Sequence, residues 1–119
     1  MVTHLVLLRP RQNLAPDERR ALVDALKKAF RDIPTIRRAR VGVRVKLGIA
    51  YEQQFGLEDL TIAAILEFDD LAGVQAYLAH PAHQQLGAQF RSAADVAMVY
   101  DYEMGEVGEL EALLKKTGI

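Results

Sequence analysis

The sequence predicts an α+β fold, a ferredoxin-like four-stranded antiparallel sheet with helices on one face. Three observations predict it. Segments of alternating and of helical spacing follow one another as strand, helix, strand, strand, helix, strand, the order of a ferredoxin-like unit. The first strand segment is largely apolar on both faces, so it needs cover on both sides, whereas the second carries a basic face that meets water or acidic neighbours. The chain has 119 residues, half of them apolar, enough for one compact domain but not for a second layer on the far face of the sheet.

The elements follow in order. In "VTHLVLLR", Val2, His4, Val6 and Leu8 alternate with Thr3, Leu5 and Leu7, which is strand spacing. "PDERRALVDALKKAFRDIP" has helical spacing, with Leu22, Ala25, Leu26, Ala29, Phe30 and Ile33 on one stripe. Pro16 suits its first turn, Asp17 and Glu18 suit its positive end, and Pro34 stops it. Its cap position, Ala15, lacks a side-chain acceptor, a weakness of about 1 kcal/mol. "TIRRARVGVRVKLG" is the second strand, with Ile36, Val41, Val43 and Val45 set among arginines. Residues 48–59, with two glycines, Tyr51 and Phe55, are expected to form a folded surface loop. "LTIAAILEF" is the third strand, with Ile62, Ala64, Leu66 and Phe68 on one face. Asp69 or Asp70 can cap the helix "LAGVQAYL", and after "HPAH" a short helix runs to about Arg91. "DVAMVYDYEM" closes the sheet, with Ala97, Val99 and Asp101 on one side and Val96, Met98, Tyr100 and Tyr102 on the other. A tail helix carries Leu110, Leu113 and Leu114 and is ended by Gly118. It packs on its own domain or on a partner.

Composition narrows the function. Without cysteine there is no thiol chemistry, and a metal would need histidine and carboxylate ligands. His80 and His83 are poorly spaced for zinc, so no metal is expected. No glycine-rich phosphate cradle or nucleophile elbow occurs, and no cofactor is expected. The first apolar run is short, closes on Arg9-Pro10 and lacks a cleavage site, and no stretch approaches membrane-spanning length. The expectation is a cytoplasmic protein without a membrane partner. Residues 1–47 carry twelve Lys/Arg against four Asp/Glu, and residues 48–119 three against twelve. These charges are interspersed with apolar positions and lack base-stacking aromatics, so they are read as neutralising each other rather than binding nucleic acid. The sheet face carrying Tyr100 and Tyr102 needs a second layer, and a homodimer joined sheet to sheet supplies it.

"THLVLLR", the "IP" closing the first helix, "LEFDDLAGVQAYLAHPAHQQL" and "MVYDYE" occur here in the order found in a known family. The chain resembles the stress-responsive A/B barrel domain, a dimeric ferredoxin-like family whose two sheets close an α/β barrel. The likeness covers about residues 2–104, which implies a domain at 1–104 and leaves 105–119 as a C-terminal helical extension. It implies more about fold than about activity, because most members have no assigned reaction. One plant branch, olivetolic acid cyclase, closes a linear polyketide thioester by aldol chemistry. Carried over position by position, its catalytic set becomes His83 as base, Asp101 as the carboxylate paired with it, and Tyr77, with His4 on the pocket wall. A further pocket histidine is replaced by Ile62, and aromatic positions on the first helix by Leu22, Val23 and Leu26, which changes the cavity and the substrate.

The residues themselves leave two readings open. A His83–Asp101 pair could remove a proton, or could simply tie the turn to the last strand. Tyr77 lies on the apolar stripe of its helix and could pack or donate a hydrogen bond. His4 faces the interior with Val6 and Leu8, as a satisfied core residue or a ligand contact, and His80 is read as exposed at the turn. Ala64 and Ala97 either leave a ligand cavity or admit large helix side chains. The function read from the sequence is a homodimeric small-molecule-binding module, with a small apolar or carbonyl ligand at His4, Leu22, Val23, Leu26, Ile62 and Ala64. The alternative is a cofactor-independent cyclase or isomerase acting on a small carbonyl, polyketide-like substrate, with His83 as general base. Whether the protein is an enzyme is left open by the sequence.

Overall fold

The computed structural model describes residues 1–50, 52 and 58–118. The elements are β1 (Val2–Pro10), α1 (Pro16–Asp32), β2 (Ile36–Val43), β3 (Ile62–Phe68), α2 (Leu71–Ala79), α3 (Pro81–Ala93), β4 (Ala94–Glu103) and, after a 3-10 turn at Val107–Glu109, α4 (Leu110–Lys116). The surface loop expected over residues 48–59 lies largely outside the described residues. The strands form one antiparallel sheet in the order β2-β3-β1-β4, which is the ferredoxin-like arrangement.

The register decides which side chains meet. His4 lies opposite Leu66 on β3 and Asp101 on β4; Val6 lies opposite Ala64 and Val99, and Leu8 opposite Ile62 and Ala97. These residues share one face with Val2 and Phe68, and against that face pack Ala29 and Ile33 of α1, Val74 and Tyr77 of α2, and Ala82 and Leu86 of α3. Burying such aliphatic side chains is worth about 1.5–3 kcal/mol each and is the main force holding the helices down. The other face carries Leu5, Leu7 and Ile65, all partly exposed, and Tyr100 and Tyr102, which are 47% and 48% exposed.

β2 alternates only because of a bulge. Ile36 pairs with Phe68 and Arg38 with Glu67, so Arg37 is an extra residue, and it reaches out to Asp69 at 2.7 Å. Ile36 and Val41 are an odd number of positions apart, and the bulge is what puts both on the helix side. The expected apolar stripe of α1 holds at Ala25, Leu26, Ala29 and Ile33, but Phe30 is 48% exposed. At about 100° per residue Phe30 falls roughly 80° from the centre of that stripe, on its flank.

The caps are local. At α1 the Ala15 backbone N–H donates to the Glu18 carboxylate, which does part of the work that the Ala15 side chain cannot. At α2 the Gly73 N–H donates to Asp70 Oδ1 at 2.8 Å, so Asp70, not Asp69, is the cap. α2 and α3 are two helices rather than one because His80, extended at φ −75° and ψ 140°, precedes Pro81, which disfavours a helical residue before it. Its imidazole caps α3 by accepting from the Ala82 N–H at 3.0 Å, so His80 is a half-buried cap and not the free turn residue expected. Gly118, with φ +86°, follows α4 as expected, and Lys116 ties α4 to Glu103 at 2.7 Å, leaving Leu110 and Leu114 exposed. Arg9–Glu58, Arg37–Asp69, Arg44–Asp59 and Lys46–Asp59 join the basic first part of the chain to the acidic remainder. No helix among the described residues is long and apolar enough to cross a membrane.

Replacing Asp70 by Ala removes the acceptor at the start of α2 and should lower the unfolding free energy by about 1 kcal/mol in urea denaturation. An unchanged midpoint would show that the cap carries no stability.

Candidate functional site

β4 is wider than the helical cover. α2 and α3 lie over β1 and β3, while Ala97, Val99 and Asp101 of β4 stay exposed on the helix side. The space between α3 and β4 is a half-open cleft of about 520 Å³. Its walls are Val6, Leu86, Phe90, Ala97 and Val99, with His4, Tyr77 and His83 at one end.

At that end the groups are built from three elements. His4 enters from β1, only 3% exposed, and its Nδ1 donates to Asp101 Oδ1 at 2.7 Å across the β1–β4 ladder. Tyr77, on the last full turn of α2 and 2% exposed, stands edge-on to both imidazoles, its ring centroid 5.2 Å from His4 and 4.6 Å from His83. Phe68 supports its other side at 5.2 Å. His83, on the first turn of α3, is half-buried and lines the cleft. Among the described residues no buried side-chain nitrogen or oxygen is left without a partner. With Nδ1 committed to Asp101, Nε2 is the His4 nitrogen left for a molecule in the cleft.

The expected pairing of His83 with Asp101 is therefore corrected. Asp101 is bonded to His4, because the antiparallel register sets those two residues directly opposite on one face, whereas His83 rides on a helix above them. Of the other expected contacts, Leu22, Val23, Leu26, Ile62 and Ala64 do not line this cleft. Ala64 is buried between Val6 and Val41 in the sheet, Leu26 and Ile62 pack on the core edge, and Val23 is exposed. Ala97 does line it, and its small side chain helps keep the space open. Sequence reasoning missed Gly87, Phe90 and Arg91, whose spacing from His83 along one helix would have placed them on the same side.

Electrostatics sets the protonation states. Burial, then the nearby charge of Asp101, pushes the Tyr77 phenol up to about 12, so it is a hydrogen-bond donor at neutral pH. Burial holds the His83 imidazole below its ordinary value of 6.5, with His4 and Arg91 adding to the effect and the Leu78 carbonyl opposing it. At neutral pH the site thus presents a neutral imidazole at His83 beside a neutral phenol. Among the described residues no group of three or more His, Asp or Glu could hold a metal ion.

A family model for the stress-responsive A/B barrel domain matches residues 2–104. The chain belongs to that family. Solved structures share the fold of the chain. An Arabidopsis thaliana protein is 22% identical, with 90% of this chain and 98% of the other covered, at a TM-score of 0.74. A dimeric protein of unknown function with a ferredoxin-like fold from Bacteroides fragilis is 28% identical over 87% of this chain and 95% of its own, at 0.60. The hydroxynitrile lyase of Passiflora edulis is 16% identical over 89% and 94%, at 0.72. Among curated proteins none matches the chain.

His83 should titrate below 6.5 when its ring protons are followed by NMR. Because its folded value is depressed, the unfolded chain binds more protons near that pH. Its contribution to stability is complete above the unfolded value and is lost as the pH falls through the folded one. The melting temperature should therefore fall as the pH is lowered from neutral toward 5.5, and the fall should shrink in His83→Gln; an equal fall in the variant would contradict the assignment.

Proposed function

We propose that the protein is a homodimeric small-molecule-binding module that holds an apolar or carbonyl ligand in the cleft between α3 and β4. The half-open cleft, apolar along its walls and polar at the His4–Tyr77–His83 end, carries the reading, since a few polar groups converging on an apolar recess are the form of a small-ligand site. Homodimer formation is supported by the open sheet face with Leu5, Leu7, Ile65, Tyr100 and Tyr102, too apolar for one side of a stable monomer sheet to leave to water. A second copy of the same face is the simplest cover, and the Bacteroides fragilis relative is described as dimeric.

A second reading, cofactor-independent proton transfer on a small carbonyl substrate as in a cyclase or isomerase, is favoured by one observation. A protonated phenol and a neutral imidazole stand side by side at the same end of the cleft. His83 would take a proton next to the carbonyl, and the Tyr77 hydroxyl would donate to the developing oxyanion. Asp101 would serve by orienting His4, whose Nε2 could accept a second hydrogen bond from the substrate. One neighbour of this fold is a lyase, so the scaffold accommodates catalysis.

Native mass spectrometry and sedimentation should give a dimer at micromolar concentration for the wild type and a monomer for the Tyr100→Glu, Tyr102→Glu double variant. A monomeric wild type overturns the dimer. Small molecules retained by the dimer should be lost from an Ala97→Trp variant, whose indole fills the cleft from its exposed wall. For the second reading, α-proton exchange of a small enolisable ketone in deuterated water should fall by about a hundredfold or more in His83→Ala; exchange that survives the substitution removes His83 as base.

A further inference from the structure

The cleft has a second pole that the reading above does not use. Opposite the histidine end, α3 brings Arg91 onto the wall beside Phe90, Ala94 and Ala97. Among the described residues no carboxylate lies within ion-pairing distance of Arg91, whereas most of the arginines of the chain have such a partner. The guanidinium is permanently charged, and the neutral His83 leaves it as the fixed positive charge of this wall. The carboxylate of the site, Asp101, is at the other pole and is bonded to His4.

Gly87 shows how the guanidinium is seated. It lies in the interior of α3 with no left-handed backbone to require glycine, and glycine weakens a helix interior relative to alanine. A Cβ at position 87 would sit 3.2 Å from Arg91 Nη1, tighter than ordinary contact. The missing side chain gives the Arg91 head a place along the helix, one turn back toward the cleft, and Gly87 itself lines that cleft.

We propose that Arg91, seated over Gly87, binds the carboxylate of an apolar organic acid whose body lies along Phe90, Leu86 and Val99 toward His83 and Tyr77. The inference rests on the cleft being the ligand site and names the ligand class. A planar guanidinium offers two parallel N–H donors that match one carboxylate. Arg91 is the one permanently charged cation among the described residues that line the cleft, which suits one negative charge better than a phosphate. The place of the guanidinium sets which part of the ligand lies beside His83. His83 and Gly87, over which the guanidinium is seated, are four residues apart on one helix, about 6 Å along its axis, so the carboxylate and the first carbons of the acid fit between the guanidinium and the imidazole, with the rest of the chain on the apolar walls.

The test is isothermal titration of the full-length protein with octanoate and with octanamide, which differ in charge and little in shape. Wild type should bind octanoate about tenfold or more tightly than octanamide, the gain expected for a charge-assisted pair. Arg91→Gln should bring the two affinities together by weakening octanoate alone, and Arg91→Lys should keep part of the preference. Arg91 is exposed, so the melting temperature of the variants should stay close to that of wild type and a folding defect would be visible directly. Equal affinities in wild type, or an acid preference that survives Arg91→Gln, overturn the carboxylate anchor and leave the cleft reading intact. Binding of neither probe by the folded dimer overturns the anchor together with the cleft reading.

Discussion

The hydrogen bond from His4 Nδ1 to Asp101 Oδ1 is the contact on which the cleft depends. It forms between directly opposed residues of β1 and β4, so it needs no loop to position it; the antiparallel register suffices. A buried imidazole must find a partner, and the carboxylate that meets this need comes from the strand that the helices leave uncovered. The bond therefore marks the boundary between packed core and open cleft. Inside it, Tyr77 is clamped by Phe68, His4 and His83; outside it, Val99 and Ala97 remain accessible.

The division into packed and open parts follows from the order of the strands. With β1 and β3 in the middle of the sheet, α1, α2 and α3 bury Val6, Leu8, Ala64, Leu66 and Phe68, and the edge strand β4 projects past them. Half of β4 then has two uses: one face walls a recess under α3, and the other, with Tyr100 and Tyr102, adds to the apolar face on the far side of the sheet. A second copy set on that far face would leave the recess open to small molecules, because the two faces lie on opposite sides of the same strand.

The fold was legible because its signals are local. Alternation in β1, β3 and β4, the helical stripe of α1 and the Asp70 cap are each contained within a few residues, and the structure has them where the spacing puts them. The bulge at Arg37 was hidden in an arithmetic mismatch: Ile36 and Val41 cannot share a face of a regular strand, yet both are apolar. The pairing inside the site was not legible. Which histidine meets Asp101 depends on the β1–β4 register, which joins the two ends of the chain and is set by no turn between them. Likeness to the family pointed to His83, and the register points to His4. In the sequence His80 looks like an exposed turn residue, because its side chain has a cap to make only once Pro81 has started a new helix. Arg91 and Gly87 do not stand out in the sequence, because a lone arginine and a lone glycine are ordinary until a cleft lies beside them.

The state of the His4 ring tests the central claim most directly. Long-range proton–nitrogen NMR on protein labelled at histidine reports which ring nitrogen carries the proton in the neutral form. His4 should keep it on Nδ1, facing Asp101, and Asp101→Ala should abolish that preference while the pattern of His80 is unchanged. A His4 ring protonated on Nε2 in the wild-type protein, or one indifferent to Asp101→Ala, would contradict that claim.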